Sequence, residues 1–352
     1  MAEPPLLYNI NSSLADLMTR MRTGIPGAHT GLVVLLVFLV AGFSLFIPNF
    51  ASLGTLQSFM YQLPLLGLLS LAMMAPLITG GLNLAIIATT NQCALLMAFI
   101  MQSLITPDSG TGAAPAVIIL ALLAGLVLCL LIGLITGALI AYTGVHPILI
   151  TLGTKSLIDG ISIYLTRGMA LSGIPDGFSR IGTTTIVGVP LIFLLLIVVA
   201  VIVSLILRRT AFGVACAMIG SNIEAARYSA IDTRRVLVGV YVMSSLICFF
   251  AALVMLATFN SASADYAQSY LLVTILAAVL GGVDPFGGFG TAGGLMLALA
   301  ILQVISSGFN QFGLSNYLTV AIWGGILIFV AAVQTARPYL MWLLPTRFFG
   351  PK

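Results

Sequence analysis

Charge is what this sequence has least of. Only 6% of its 352 residues are Asp, Glu, Lys or Arg, against roughly a quarter in an ordinary soluble domain, so a water-soluble globular fold is excluded. Nine acidic residues and two histidines leave few groups for acid–base or metal chemistry. There is no H-E-x-x-H zinc motif and no pair of carboxylates within an apolar segment, so neither a hydrolase nor an intramembrane enzyme is expected. The net charge of +4 comes with a single lysine ahead of the C-terminal one. A phosphate-neutralising surface needs clustered Lys and Arg, so a nucleic-acid partner is excluded as well. Cysteine is scarce: Cys93, Cys129, Cys216 and Cys248 lie in or beside apolar runs with no C-x-x-C spacing. They read as packing residues rather than a disulfide framework or zinc site. Residues 1–30 are polar, carrying Asp16, Arg20 and Arg22, and are not followed at once by a short apolar run with a small-residue cleavage site, so no cleaved signal peptide is expected.

What the sequence has instead is apolar length, with 60% of its residues hydrophobic. About 20 consecutive apolar residues cross a bilayer as a helix. That rule places spans near 31–48, 56–78, 84–104, 116–142, 147–166, 190–207, 236–258, 270–281, 292–308 and 316–335. The expected fold is therefore an all-α polytopic membrane protein with about ten transmembrane helices and both termini on one side. A cytoplasmic segment 1–30, a single transmembrane domain 31–335 and a tail 336–352 follow from that division. Basic residues flanking spans stay in the cytoplasm. Ten of the thirteen, among them Arg208, Arg209, Arg227, Arg234, Arg235 and Arg337, fall on one face of this topology, so both termini are expected to be cytoplasmic.

Two apolar segments are interrupted. The eighth span is short and runs into Gly281-Gly282-Val283-Asp284-Pro285-Phe286-Gly287-Gly288-Phe289-Gly290, which cannot continue as regular helix. The second contains Pro64 and Pro76 and ends at Gly80-Gly81 before Asn83, so it too is expected to be broken. Interrupted helices line the pathway in many transporters; glycines for close helix packing are the alternative use of Gly281, Gly282, Gly287, Gly288 and Gly290.

The longest charged stretch between spans is the insert 208–235. Ser221 and Glu224 fit a capping box at the start of a short helix, Ala225 and Ala226 favour helix, and Glu224 can pair with Arg227 one turn on. Such a segment suits a docking knob, or equally an amphipathic connector lying on the membrane surface. The run Gly220-Ser221-Asn222-Ile223-Glu224-Ala225-Ala226-Arg227-Tyr228-Ser229-Ala230-Ile231 resembles the G-x-N-x-x-A-A-R-x-S-G-I signature of permease subunits of binding-protein-dependent ABC importers, in the ribose, simple-sugar and branched-chain amino acid permease family. Ala230 stands where that signature has glycine. Ala277-Ala278-Val279-Leu280-Gly281-Gly282, with Gly287-Gly288-Phe289-Gly290 after it, is similar to the family's A-A-V-x-G-G-x-x-x-x-G-G-x-G segment. Gly308-Phe309-Asn310-Gln311-Phe312-Gly313 resembles the turn after its ninth span. Where many members carry G-x-D-L-S-x-G, this chain has Gly81-Leu82-Asn83-Leu84-Ala85-Ile86-Ile87, with neutral Asn83 in the acidic place.

The resemblance implies a multi-pass permease of the bacterial inner membrane, working with a second permease copy or paralogue and importing a small polar, sugar-like solute by alternating access. It implies two further partners, an ABC ATPase subunit and a periplasmic or extracellular solute-binding protein received near the 167–189 and 259–269 loops. Gly220, Ser221, Asn222, Glu224, Ala225, Ala226 and Arg227 would be the ATPase-coupling residues. No cofactor is expected on this chain. ATP and Mg would be bound by the partner, in keeping with the lack of a G-x-x-x-x-G-K-[ST] loop here; Gly153-Thr154-Lys155-Ser156, its nearest imitation, lies inside a span. A self-contained secondary transporter is the alternative.

Polar groups inside spans are costly and are either paired or exposed to a cavity. Lys155 and Asp159, spaced i, i+4, are expected to neutralise each other. In the third span Asn83, Thr90 and Asn91 are candidate pathway residues, with Asn83 and Asn91 about two turns apart on one face. Interhelical hydrogen bonding would account for the same cluster. Gln57 and Gln62, with Tyr61, form a second candidate lining. His146, before Pro147, reads as an interfacial residue and not a ligand.

Overall fold

The computed structural model describes residues 26–105, 113–315, 317–328 and 332; the N-terminal segment up to residue 25 and the whole C-terminal tail 336–352 lie outside them. Among the described residues a helix lies within each expected span, the last span being described only at 317–328 and 332: α1 (Pro26–Phe46), α2 (Leu53–Ile78), α3 (Ile86–Leu104), α4 (Ala113–Thr143), α5 (Pro147–Thr166), α7 (Leu191–Arg209), α10 (Thr233–Phe259), α11 (Tyr270–Leu280), α12 (Ala292–Gln311) and α13 (Tyr317–Ile328). Three more lie between spans: α6 (Asp176–Thr183), α8 (Ala211–Ser221) and α9 (Ile223–Tyr228). Among the described residues seven helices are long and apolar enough to cross a bilayer: α2, α3, α4, α5, α7, α10 and α12. α11, with 11 residues, spans only about 16 Å. The molecule is a polytopic α-helical membrane protein.

The core is built on α2, of whose most apolar 18-residue window 89% is buried inside the fold, whereas α5 buries 17% and lies at the periphery. α10 packs against α2, α3 and, most extensively, α4. Lipid gives helices no hydrophobic drive to associate, so contact depends on close backbone approach across small residues. Gly133 and Gly137 of α4 form a G-x-x-x-G pair facing α10. A Cβ on Gly137 would lie 2.9 Å from the Val238 Cα, and one on Gly133 would lie 2.8 Å from the Ser245 Cβ.

α2 is not broken as the sequence led us to expect. It runs as one 26-residue helix through both Pro64 and Pro76. Proline at position 76 removes the N–H that would bond the Ala72 carbonyl. The Ser244 hydroxyl of α10 donates to that carbonyl at 2.7 Å and in turn accepts from the Asn83 amide at 2.9 Å. A neighbouring helix thus repairs the defect, the usual way in which membrane helices tolerate proline.

At the end of the fold remote from α9, the 167–189 and 259–269 segments meet. β1 (Leu171–Ser172) pairs antiparallel with β4 (Ser261–Ala262), joining Leu171 to Ala262. β2 (Thr185–Ile186) and β3 (Val189–Pro190) form a hairpin. Its two turn residues, Val187 and Gly188, both have positive φ, the geometry that matches the twist of paired strands.

Candidate functional site

The charged segment that follows α7 is built from two short helices end to end. α8 stops at Ser221, and Asn222, with extended backbone, caps α9; its side-chain oxygen accepts from the N–H groups of Glu224 and Ala225, both at 3.0 Å. The capping residue is therefore Asn222 and not Ser221. A side chain that short, placed two and three residues before the receiving amides, reaches them without Glu224 closing a box. Glu224 instead accepts from Arg227 at 2.8 Å, with both side chains more than half exposed. An exposed pair of this kind contributes little stability and leaves both charges open to a partner. Only Ala226 of α9 is buried, so the helix stands out from the surface on a single anchor, flanked by the exposed rings of Tyr228 and Phe286. Ala230 ends the turn at φ +58°, a left-handed conformation in which an L side chain costs about 1–2 kcal/mol. That geometry is the physical reason for the glycine of the resembling motif.

Three segments far apart in sequence converge behind this knob. The Gly288 N–H donates to the Ile78 carbonyl at the end of α2, at 2.8 Å. A Cβ on Gly220 would fall 1.9 Å from that carbonyl oxygen and 2.4 Å from the Gly288 nitrogen, so no other residue fits there without displacement. Gly287 and Gly288 have φ of +96° and +92°, open only to glycine at low cost. Asp284 shapes the turn by accepting from the Phe286 N–H at 2.9 Å. Of the other glycines in the run, Gly281 packs on the Leu295 backbone and Gly290 on Ile78, while Gly282 takes positive φ in open space. The sequence signalled both glycine runs; that they close on one another was not legible.

The intramembrane candidates are distributed differently from the expectation. α3 begins only at Ile86, so Asn83 precedes the helix and does not share a helical face with Asn91. Asn83 is buried in the repair of α2, with its side-chain oxygen accepting from the Ala85 N–H. Asn91 donates to the carbonyls of Ala264 (2.7 Å) and Tyr266 (2.9 Å), tying α3 to the loop after β4. Thr90 is buried and bonds the Ile86 carbonyl of its own helix. Gln57 is exposed on α2. Gln62 accepts from Gln303 at 2.8 Å and faces a cavity. Lys155 and Asp159 pair at 2.7 Å, as their spacing foretold. His146 caps α5, its Nδ1 accepting from the Ile148 N–H. Ser244 and Gln303 were missed. Gln303 had a signal, since it begins an i, i+3, i+7 polar line with Ser306 and Asn310 in an apolar helix; Ser244 had none until its partner carbonyl was placed.

All four cysteines are free and buried. Among the described residues no group of three or more His, Cys, Asp or Glu could hold a metal ion. What the fold and site define is a membrane transport subunit: a buried helical core to which an exposed charged knob is joined through backbone contacts. The chain belongs to the branched-chain amino acid transport system / permease component family, whose model matches residues 55–331; its part is that of a permease component, not an enzyme. Similar proteins include the autoinducer 2 import system permease protein LsrD of Salmonella typhi, 32% identical over 306 residues covering 85% of this chain and 89% of that one. The LsrD proteins of Enterobacter sp. strain 638 (30% identical, 90% of this chain and 95% of that one) and Escherichia coli O9:H4 (30%, 86% and 91%) are similar too. No solved structure matches the chain.

Proposed function

We propose that this chain is the membrane-spanning subunit of an ATP-driven importer in the bacterial inner membrane, moving a small polar, sugar-like solute by alternating access. The observation that carries the reading is the knob of residues 220–227, exposed on all but one residue of α9 and locked by glycine contacts to α2 and the 281–290 turn. A pull or push on α9 reaches the core helices through the Gly220, Ile78 and Gly288 backbones, with no flexible side chain between. ATP and Mg bind and react on a separate ATPase that receives α9, and Glu224 and Arg227 present opposite charges to it. Both termini and α9 then lie in the cytoplasm, and the β1–β4 end receives a solute-binding protein. The autoinducer 2 named for the similar permeases is the first solute to test, with neutral monosaccharides beside it. A second permease copy or paralogue completes the membrane unit.

Replacing Glu224 and Arg227 together by Ala is the test. In proteoliposomes holding the assembled importer, uptake and binding-protein-stimulated ATP hydrolysis should both fall at least about tenfold, a change of roughly 1.4 kcal/mol in coupling, with membrane insertion unchanged. Normal uptake from the double variant contradicts the role given to these residues. Uptake that runs on an ion gradient without ATP favours the secondary-transporter alternative.

A further inference from the structure

A cavity of about 380 Å³ lies between helices α4, α6, α7 and α10, and every residue lining it is apolar. Leu122 of α4, Leu195 and Val198 of α7, and Leu253 of α10 contribute to its wall, and Phe178 and Ile181 of α6 close its end. Val198 is 54% exposed and Ile181 38%, so the cavity opens toward the bilayer. Such a space offers water no hydrogen-bonding partner and takes apolar matter instead.

The depth of the cavity follows from α7. The 19 residues of that helix measure about 28 Å, close to the roughly 30 Å of hydrocarbon in a bilayer. Arg208 and Arg209 in its last turn mark one headgroup layer. Leu191, at its start, therefore lies at the opposite boundary, and its N–H donates at 2.9 Å to the carbonyl of Thr184, the residue after α6. α6 thus sits at headgroup level. It is amphipathic, as interfacial helices are: Phe178 and Ile181 meet the cavity, whereas Asp176 and Arg180 are exposed. It is also fixed in place. A Cβ on Gly182 would overlap the Ala257 carbonyl oxygen, so α6 rests directly on the backbone of α10. Asp176 and Arg180 are one turn apart, yet neither forms an ion pair with the other or with any other described residue. A carboxylate and a guanidinium are thus left open immediately beside an apolar cavity.

We propose that the cavity and α6 together form a site for one phospholipid whose headgroup carries both a phosphate and an ammonium, the chemistry of phosphatidylethanolamine. One acyl chain fills the cavity, the phosphate accepts from the Arg180 guanidinium, whose fork of donors matches it, and the ammonium donates to Asp176. A polar solute finds no donor or acceptor in this wall, and a headgroup of net negative charge leaves Asp176 facing an anion. The assignment of the lipid to the outer leaflet rests on the topology proposed above; the site itself does not.

Native mass spectrometry of the full chain in detergent, titrated with phosphatidylethanolamine and phosphatidylglycerol of identical acyl chains, tests the site. One phosphatidylethanolamine should be retained, at least tenfold more tightly than phosphatidylglycerol. Arg180→Gln should weaken that binding about tenfold, Asp176→Asn should remove the preference between the two lipids, and Leu195→Trp, which fills the cavity, should abolish retention. Val201→Trp, on α7 at an exposed residue outside the cavity, should change nothing. A phosphatidylethanolamine with a diazirine midway along one acyl chain should cross-link to peptides containing residues 191–198 and 253–254. Failure to retain phosphatidylethanolamine, equal retention of both lipids by the unaltered chain, full retention by Leu195→Trp, or cross-links spread over the exposed faces of α4 and α5 would overturn the site. A disulfide joining two chains through Val198→Cys in native membranes would overturn it too, since a second copy would then cover the cavity. An inverted topology would move the site to the other leaflet and leave the detergent titration untouched, so the two readings fail separately.

Discussion

A hydroxyl at position 244 decides how two other residues are read. Asn83 looked like a pathway residue because it is neutral, polar and next to a glycine pair. In the fold its amide completes a relay through Ser244 to the carbonyl that Pro76 leaves without an N–H. Ser244→Ala should therefore strand two buried polar groups at once. The cost is about 1–3 kcal/mol, read as a lower unfolding temperature in detergent, while Ser58→Ala, at a helix-exposed hydroxyl, should change little. Unaltered unfolding in Ser244→Ala would show that the relay is not needed. The residue scale is also where the sequence was least legible. An i, i+4 ion pair such as Lys155 with Asp159 is local and could be read directly. A bond spanning 161 residues, as from Asn83 to Ser244, depends on which helices become neighbours, and periodicity carries no record of that.

At the scale of elements, the lengths and order of the helices were legible because a bilayer imposes one length on apolar runs. Where they stop was less so. A short helix was expected to start at Ser221, yet Ser221 ends α8 and Asn222 sits between α8 and α9 in extended backbone. The same joint gives α9 its mechanical connection. Gly220→Ala should force apart the Ile78 carbonyl and the 287–288 turn, an overpacking cost of about 1–3 kcal/mol. In the assembled importer it should lower the ratio of solute moved to ATP hydrolysed several-fold. Gly293→Ala, in the same region but with open space around it, should leave that ratio unchanged. Equal behaviour of the two variants would separate the glycine junction from coupling.

Across the whole molecule, the composition already excluded soluble, nucleic-acid-binding and hydrolytic functions, and the family match agrees with what remained. The fold places the exposed charged knob at one end and the paired 167–189 and 259–269 segments at the other, about 40 Å apart along the 27-residue α10, at 1.5 Å per residue. The glycine junction joins the knob to α2, and α2 reaches the far end, where the Tyr61 hydroxyl sits 3.5 Å from the Thr183 carbonyl of α6. Movement imposed on the knob thus has a rigid route along α2. The central claim is that this knob docks an ATPase. Its most direct test is affinity purification of the full chain from its native membranes in mild detergent, with mass-spectrometric identification of what accompanies it. The account predicts stoichiometric recovery of a subunit carrying a G-x-x-x-x-G-K-[ST] loop. Repeated recovery of the chain alone, still competent in ion-driven uptake, would contradict it.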